Sequence, residues 1–211
     1  MTYKISCYNH KGGVGKTTAA INIAYFLQKS GKKVLTVDCD SQRNSLNFWS
    51  NKESGIRIDV TDWNGYKSAD SADYDCIVYD LPPALTDEVK EILRQSDMVF
   101  IPTRLGEFEI SGLADVTSLI GQIDTKLGGI FVTMYKSKTD AEVLEQFREV
   151  MGERLMNTLI PDSVTVGESL KCGLTVEEYL DFRKVPNARK SRQIATAYEQ
   201  LTAEIIERIG A

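Results

Sequence analysis

The sequence predicts an α/β fold: a doubly wound, mostly parallel sheet with helices on both faces. Short apolar runs rich in Val, Ile, Leu and Tyr alternate with longer helical patterns almost from end to end. The runs show little in-and-out alternation, as strands buried on both faces do. The first run leads directly into a glycine-rich turn and then a helical pattern. That is the strand-turn-helix step of a sheet that holds its ligand beyond the strand C-termini.

The elements follow in order. Tyr3 to Tyr8 reads as the first strand, and the turn occupies His10 to Thr18. Ala20, Ile23, Ala24 and Leu27 then keep the i, i+3, i+4, i+7 spacing of an amphipathic helix, which Gly31 closes. Lys33 to Val37 is the second strand. The stretch from Asn51 to Asp75 is polar and poorly periodic, and reads as one short strand, Ile56 to Val60, set in loops. Cys76 to Tyr79, Met98 to Ile101 and Gly129 to Thr133 are further strands, with Met156 to Ile160 a weaker candidate. A last helix carries Ile194, Ala197, Tyr198, Leu201, Ile205 and Ile209 on one stripe. No repeat, low-complexity tract or linker divides the 211 residues, so a single domain over 1–211 is expected.

Composition narrows the function. With 42% hydrophobic and 26% charged residues the chain suits a soluble globular domain, neither disordered nor membrane-spanning. A net charge of −5 excludes coating of nucleic acid by bulk positive charge. Cys7, Cys39 and Cys76 lie in or at the ends of strand-like runs, and Cys172 stands alone. This usage suits a reduced cytoplasm rather than a disulfide framework or a zinc site. No signal peptide and no apolar run of membrane length is present, so a cytoplasmic location is expected.

The chemistry is concentrated in His10-Lys11-Gly12-Gly13-Val14-Gly15-Lys16-Thr17-Thr18. Glycines at 12, 13 and 15 let backbone N–H groups curl around phosphate oxygens. The helix that follows adds its positive end, Lys16 reaches the β- and γ-phosphates, and the Thr17 hydroxyl ligates magnesium. Asp80, at the end of the apolar run Cys76 to Tyr79 and before Leu81-Pro82-Pro83, is placed as the acid of the metal shell in a P-loop NTPase.

The loop departs from the G-x-x-x-x-G-K-[ST] spacing: His10 stands where the first glycine is usual, and a second lysine, Lys11, opens the turn. It resembles the deviant P-loop of the ParA/MinD group of ATPases, as does Asp38-Cys39-Asp40-Ser41-Gln42, which is similar to their D-x-D-P-Q segment with Ser41 for proline. The resemblance implies ATP and Mg²⁺ as cofactors. It implies that Lys11 reaches across a homodimer to the partner's phosphates, that Asp40 positions or activates water, and that Asp38 holds the magnesium shell with Thr17 and Asp80. Thr133-Met134-Tyr135 and Ile160-Pro161 resemble segments near the adenine, which places Met134 and Pro161 beside the base.

By the same resemblance, ATP closes two copies into a sandwich dimer that binds DNA without sequence preference, and a ParB-like or other cargo-bound adaptor stimulates slow hydrolysis. Partition of DNA is the implied task, with nucleoid association in the ATP state. The chain resembles the short type, without the N-terminal DNA-binding extension of larger relatives. Between Asp181 and Arg192 five basic residues, Arg183, Lys184, Arg189, Lys190 and Arg192, face one acid, and this cluster with Lys171 is the candidate DNA surface. Glu199 and Gln200 stand where relatives often carry arginines, as does Thr165, so the contacts are shifted or weak in this chain.

Neighbouring readings fit less well. A MinD-type membrane cycle needs a basic amphipathic C-terminal helix, whereas Thr202 to Ala211 is acidic on its polar face. An iron protein needs cluster cysteines after Asp80, and none occurs before Cys172. Small-molecule synthetases of this fold have no use for Lys11. The same ATPase positioning a protein cargo, a microcompartment or a chemoreceptor cluster, stays open, because the partner reads the cargo.

Overall fold

Strand and helix alternate along the chain as the apolar periodicity requires. The computed structural model describes residues 1–52, 55–67, 71–183 and 188–210, with the backbone alone for 107–111, 183 and 188–191. The order is β1 (Tyr3–Cys7), α1 (Lys16–Lys29), β2 (Val34–Asp38), α2 (Asn44–Ser50), β3 (Asp59–Asp62), α3 (Trp63–Lys67), β4 (Cys76–Asp80) and α4 (Asp87–Gln95). It continues with β5 (Met98–Thr103), α5 (Glu107–Gln122), β6 (Leu127–Tyr135), α6 (Ala141–Met151), β7 (Leu155–Pro161), α7 (Val164–Lys171), α8 (Val176–Arg183) and α9 (Ala188–Ile209).

The described strands form one parallel sheet in the order β3-β2-β4-β1-β5-β6-β7. Successive side chains point to opposite faces, and both faces meet apolar partners. On β4, Cys76 and Val78 join one cluster, with Ala20, Ile23, Leu27, Ile194, Tyr198 and Leu201 of α1 and α9. Ile77 and Tyr79 join the other, with Val89, Ile92 and Leu93 of α4 and Leu113 and Val116 of α5. Each fully buried Leu or Ile contributes about 1.5–3 kcal/mol. The predicted stripes on α1 and α9 are therefore what fix those helices to the sheet.

Registers set the site. Cys7 pairs with Asp80 across β1 and β4, and Asp38 pairs with Asp80 across β2 and β4. The C-terminal ends of three strands thus meet beside the turn that enters α1. Gly31, at φ 93, closes α1 as expected, its N–H donating to the Gln28 carbonyl at 3.0 Å.

Two expectations are corrected. The third strand is Asp59–Asp62 rather than Ile56 to Val60, and the stretch expected as loop contains α3. Trp63 and Tyr66, at i and i+3, are buried against Tyr79, with ring centroids 5.4 Å apart between the first two. That packing, not local periodicity, makes the turn of helix. No helix among the described residues is long and apolar enough to cross a membrane.

Candidate functional site

The turn after β1 is built to present backbone N–H groups. Gly13 and Gly15 have φ of 71 and 87, left-handed values that a side chain disfavours. Gly12 is not so constrained. Gly15 is the N-cap of α1 and offers no side-chain cap, so the first N–H groups of the helix stay available to an anion. Lys16 is 8% exposed, and its ammonium donates to the Lys11 carbonyl at 3.0 Å. Burial lowers its pKa, and the charges of Asp80 and Asp40 oppose that shift.

Two residues that the sequence reading did not single out hold the turn. Asn9 is buried; its amide donates to the Pro102 carbonyl at 2.9 Å, and its Oδ1 accepts from the Lys11 N–H at 3.0 Å. The Thr133 hydroxyl, on β6, lies 2.9 Å from the Val14 carbonyl and 3.0 Å from that of Thr103, and so joins the turn to β5 and β6. Asn9 had a signal, a polar residue between an apolar strand and the glycines. Thr133 entered only as part of the segment resembling one near the adenine, and its tie to the turn had no signal, because its partner is 119 residues away.

The acids divide their tasks. Asp80 is 1% exposed; Oδ1 accepts from the Thr17 hydroxyl at 3.2 Å, and Oδ2 is buried without a hydrogen-bond partner. Burial pushes its carboxyl up to about 7, helped by the negative charges of Asp38 and Asp40 and opposed by the hydroxyls of Thr17 and Ser45. Asp38 is 2% exposed and committed to the backbone: its oxygens accept from the N–H of Asp40 at 2.9 Å and of Leu46 at 2.8 Å. Asp40, half-buried, accepts from the Gln42 N–H at 3.0 Å. Asp38 therefore ties down the 38–46 loop on which Asp40 is carried.

Could the residues present hold phosphates and a divalent cation? The uncapped helix end and Lys16 suit an anion. The orphaned Asp80 oxygen and the Thr17 hydroxyl are hard donors of the kind magnesium takes. Among the described residues no group of three or more His, Cys, Asp or Glu side chains forms a metal cage on its own. Magnesium usually keeps waters and phosphate oxygens instead of such a cage. The donor set fits both groups.

A cavity of about 240 Å³ adjoins Gly15 and Thr18, and Met134 and Pro161 both line it, with Thr133, Ile160 and Gly167. Met134 has φ 55, and the register of β6 against β7 shifts between Val132 and Tyr135. The shift re-aims the end of β6 at the cavity, as bulges beside sites do.

The basic candidates are not assembled into one face by the described atoms. Lys184 lies outside the described residues, as do the side chains of Arg183, Arg189 and Lys190. Arg192 is exposed and shares a depression with Glu177, Asp181 and Glu199. Lys171 is exposed and lines a separate groove beside Thr17 and Thr18.

Known proteins are similar to this chain in sequence and in fold. The chromosome-partitioning ATPase Soj of Treponema pallidum is 29% identical, covering 96% of this chain and 96% of its own. Soj of Thermus thermophilus is 27% identical, covering 98% and 96%. Among solved structures, the septum site-determining protein MinD of Pyrococcus horikoshii with Mg-ADP gives a TM-score of 0.71 at 21% identity, over 97% of this chain and 96% of that one. A McdA–ATP complex from Cyanothece gives 0.74 at 16% identity, over 99% and 96%. Both have the P-loop fold built here. Residues 5–176, from β1 into α8, match the family model described as the CobQ/CobB/MinD/ParA nucleotide binding domain, and the chain belongs to that family.

Proposed function

We propose that this chain, working as one unit over 1–211, is a DNA-partition ATPase. In this reading Mg²⁺-ATP brings two copies into a sandwich homodimer, the dimer binds DNA without sequence preference, and hydrolysis stimulated by a cargo-bound, ParB-like adaptor resets it. The cytoplasmic chain associates with the nucleoid only in its ATP state. The observation that carries the reading is the uncapped start of α1, with Lys16 held on the Lys11 carbonyl beside the Thr17–Asp80 pair. Likeness to partitioning ATPases over nearly the whole chain supports it.

The roles follow from position. Backbone N–H groups from Gly12 to Thr18 receive the phosphates, and Lys16 moves from its carbonyl to their oxygens. Thr17 and Asp80 hold magnesium, whose charge offsets that of the phosphates. Asp38 stands in that shell with them while its two backbone hydrogen bonds hold the segment that carries Asp40, and Asp40 orients water. Lys11 serves the partner copy's phosphates, and Met134 and Pro161 flank the base. Arg183, Lys184, Arg189, Lys190, Arg192 and Lys171 are the DNA candidates, and the acids beside Arg192 oppose a phosphate there.

Binding of the purified chain to random-sequence duplex DNA, with ATP–Mg²⁺, with ADP and without nucleotide, tests the reading. Binding confined to the ATP state supports it. No binding in any state, alongside ATP-dependent dimerisation, removes DNA from it.

A further inference from the structure

Helix α2 turns one narrow face inward, and one of the two residues on it is polar. Ser45 and Trp49, at i and i+4, are its buried residues. Trp49 packs into the core on the α1 side of the sheet. An apolar side chain at 45 would extend that contact, and serine is only a middling helix former. The Ser45 hydroxyl is fully buried and finds no hydrogen-bond partner among the described residues. Burying it unpaired costs stability.

A second orphaned oxygen lies on the same side of the sheet. Val78 and Asp80 share one face of β4, and Val78 belongs to the cluster that Trp49 joins. Asp80 therefore points to the α2 side, where its Oδ2 is buried without a partner. Ser45 stands near enough to that carboxyl to lower its pKa. One of the two groups can donate, and the other, once ionised, can only accept. Helix α2 is held at both ends. Asp38 accepts from the N–H of Leu46, the residue after Ser45, at 2.8 Å. Just past the helix, buried Lys52 pairs with Glu178 of α8 at 2.5 Å, and Glu178 also accepts from the N–H groups of Ile56 and Thr175, both at 3.0 Å. Ser45 is thus carried on a fixed element, as a group that orients another must be.

We propose that Ser45 is a positioning residue of the magnesium site, its hydroxyl donating to Oδ2 of ionised Asp80 and holding that carboxylate in the pose that serves the cation. The inference rests on the reading of Thr17 and Asp80 as the metal-holding pair. Each oxygen of the acid then has one hydroxyl donor, Thr17 on Oδ1 and Ser45 on Oδ2, and each keeps a lone pair. Partners of this kind orient the groups around a metal, and their loss weakens metal binding. The polar residue on the buried face of α2 thereby has a use that packing does not give it.

The Mn²⁺ affinity of the ATP-saturated full chain, read by electron paramagnetic resonance, tests the proposal in the wild type, Ser45→Ala and Asp80→Asn. ATP affinity in EDTA and melting of the nucleotide-free chain are measured alongside. Ser45→Ala should bind Mn²⁺ at least about tenfold more weakly and bind metal-free ATP as the wild type does. It should melt no lower, because an unpaired buried hydroxyl is gone and alanine favours the helix. A merely structural serine would give the reverse, lower melting with Mn²⁺ affinity intact, and that result overturns the proposal. So does an equal fall in affinity for Mn²⁺ and for metal-free ATP. Weaker Mn²⁺ binding by Asp80→Asn but not by Ser45→Ala removes the serine's role alone, whereas wild-type Mn²⁺ affinity in Asp80→Asn removes the metal reading beneath it.

Discussion

The ammonium of Lys16 rests on the carbonyl oxygen of Lys11, 3.0 Å away, inside the turn that should receive phosphate. A buried amine needs an acceptor, and phosphate oxygens offer a charged one in place of a neutral one. Lys16→Ala should therefore lower ATP affinity by roughly two orders of magnitude, about 3 kcal/mol, as measured by calorimetry. Melting should shift little, because the lost bond is offset by relief of a buried charge. Undiminished binding would remove Lys16 from the phosphate site.

Asp80 makes stability depend on pH. Its carboxyl ionises near 3.8 in the unfolded chain but near 7 in the folded one. Between those values the folded chain holds the extra proton, so this group's stabilising contribution is present at low pH and lost as pH rises through 7. The full loss is roughly 4 kcal/mol. Asp80→Asn should gain on the wild type from about pH 4 to about pH 7 and level off above it, in denaturant titrations run in EDTA without nucleotide. Parallel curves would show that the carboxyl is not perturbed.

Asp38 and Asp40, two residues apart, should fail differently. Asp38→Ala removes the acceptor of two backbone N–H groups and should destabilise the fold by about 2–4 kcal/mol. Asp40→Ala removes one exposed-side contact and should leave melting nearly unchanged while ATP is bound but not turned over. Equal melting of the two variants, or full turnover by Asp40→Ala, contradicts this division.

Much of this was legible in the sequence because it is local. The β1-turn-α1 step, the stripes of α1 and α9 and the acid ending β4 each follow from neighbouring residues. Met134 and Pro161 were placed by resemblance, and the fold brings them to one cavity. What was not legible depends on distant partners: Thr133 meeting Val14, and α3 held by Trp63 and Tyr66 stacking beneath Tyr79. The resemblance placed Asp38 in the metal shell; it did not show that each of its oxygens also accepts a backbone N–H, which ties down the segment carrying Asp40.

Thr133→Val tests the long-range link. The substitution keeps the shape and deletes the hydroxyl that serves the Val14 and Thr103 carbonyls. Leaving those groups short of a donor should cost about 1–3 kcal/mol in denaturant unfolding. ATP affinity should also fall, because the turn loses its tie to β6. A stable variant with normal affinity would make the hydroxyl incidental.

Gly167 offers the sharpest test of the base cavity. It lies in α7, lines the 240 Å³ cavity, and a Cβ there meets nothing within 4 Å. Gly167→Leu should fit without strain, and a helix interior gains roughly 0.5–1 kcal/mol on losing a glycine. The chain should melt at the same temperature or higher. Its added side chain fills the space assigned to adenine, so ATP affinity should drop at least about tenfold. Tripolyphosphate, which needs only the turn and Lys16, should bind as it does to the wild type. Loss of both ligands would mean that the turn itself is disturbed, and retention of ATP affinity would place the base elsewhere than between Met134 and Pro161.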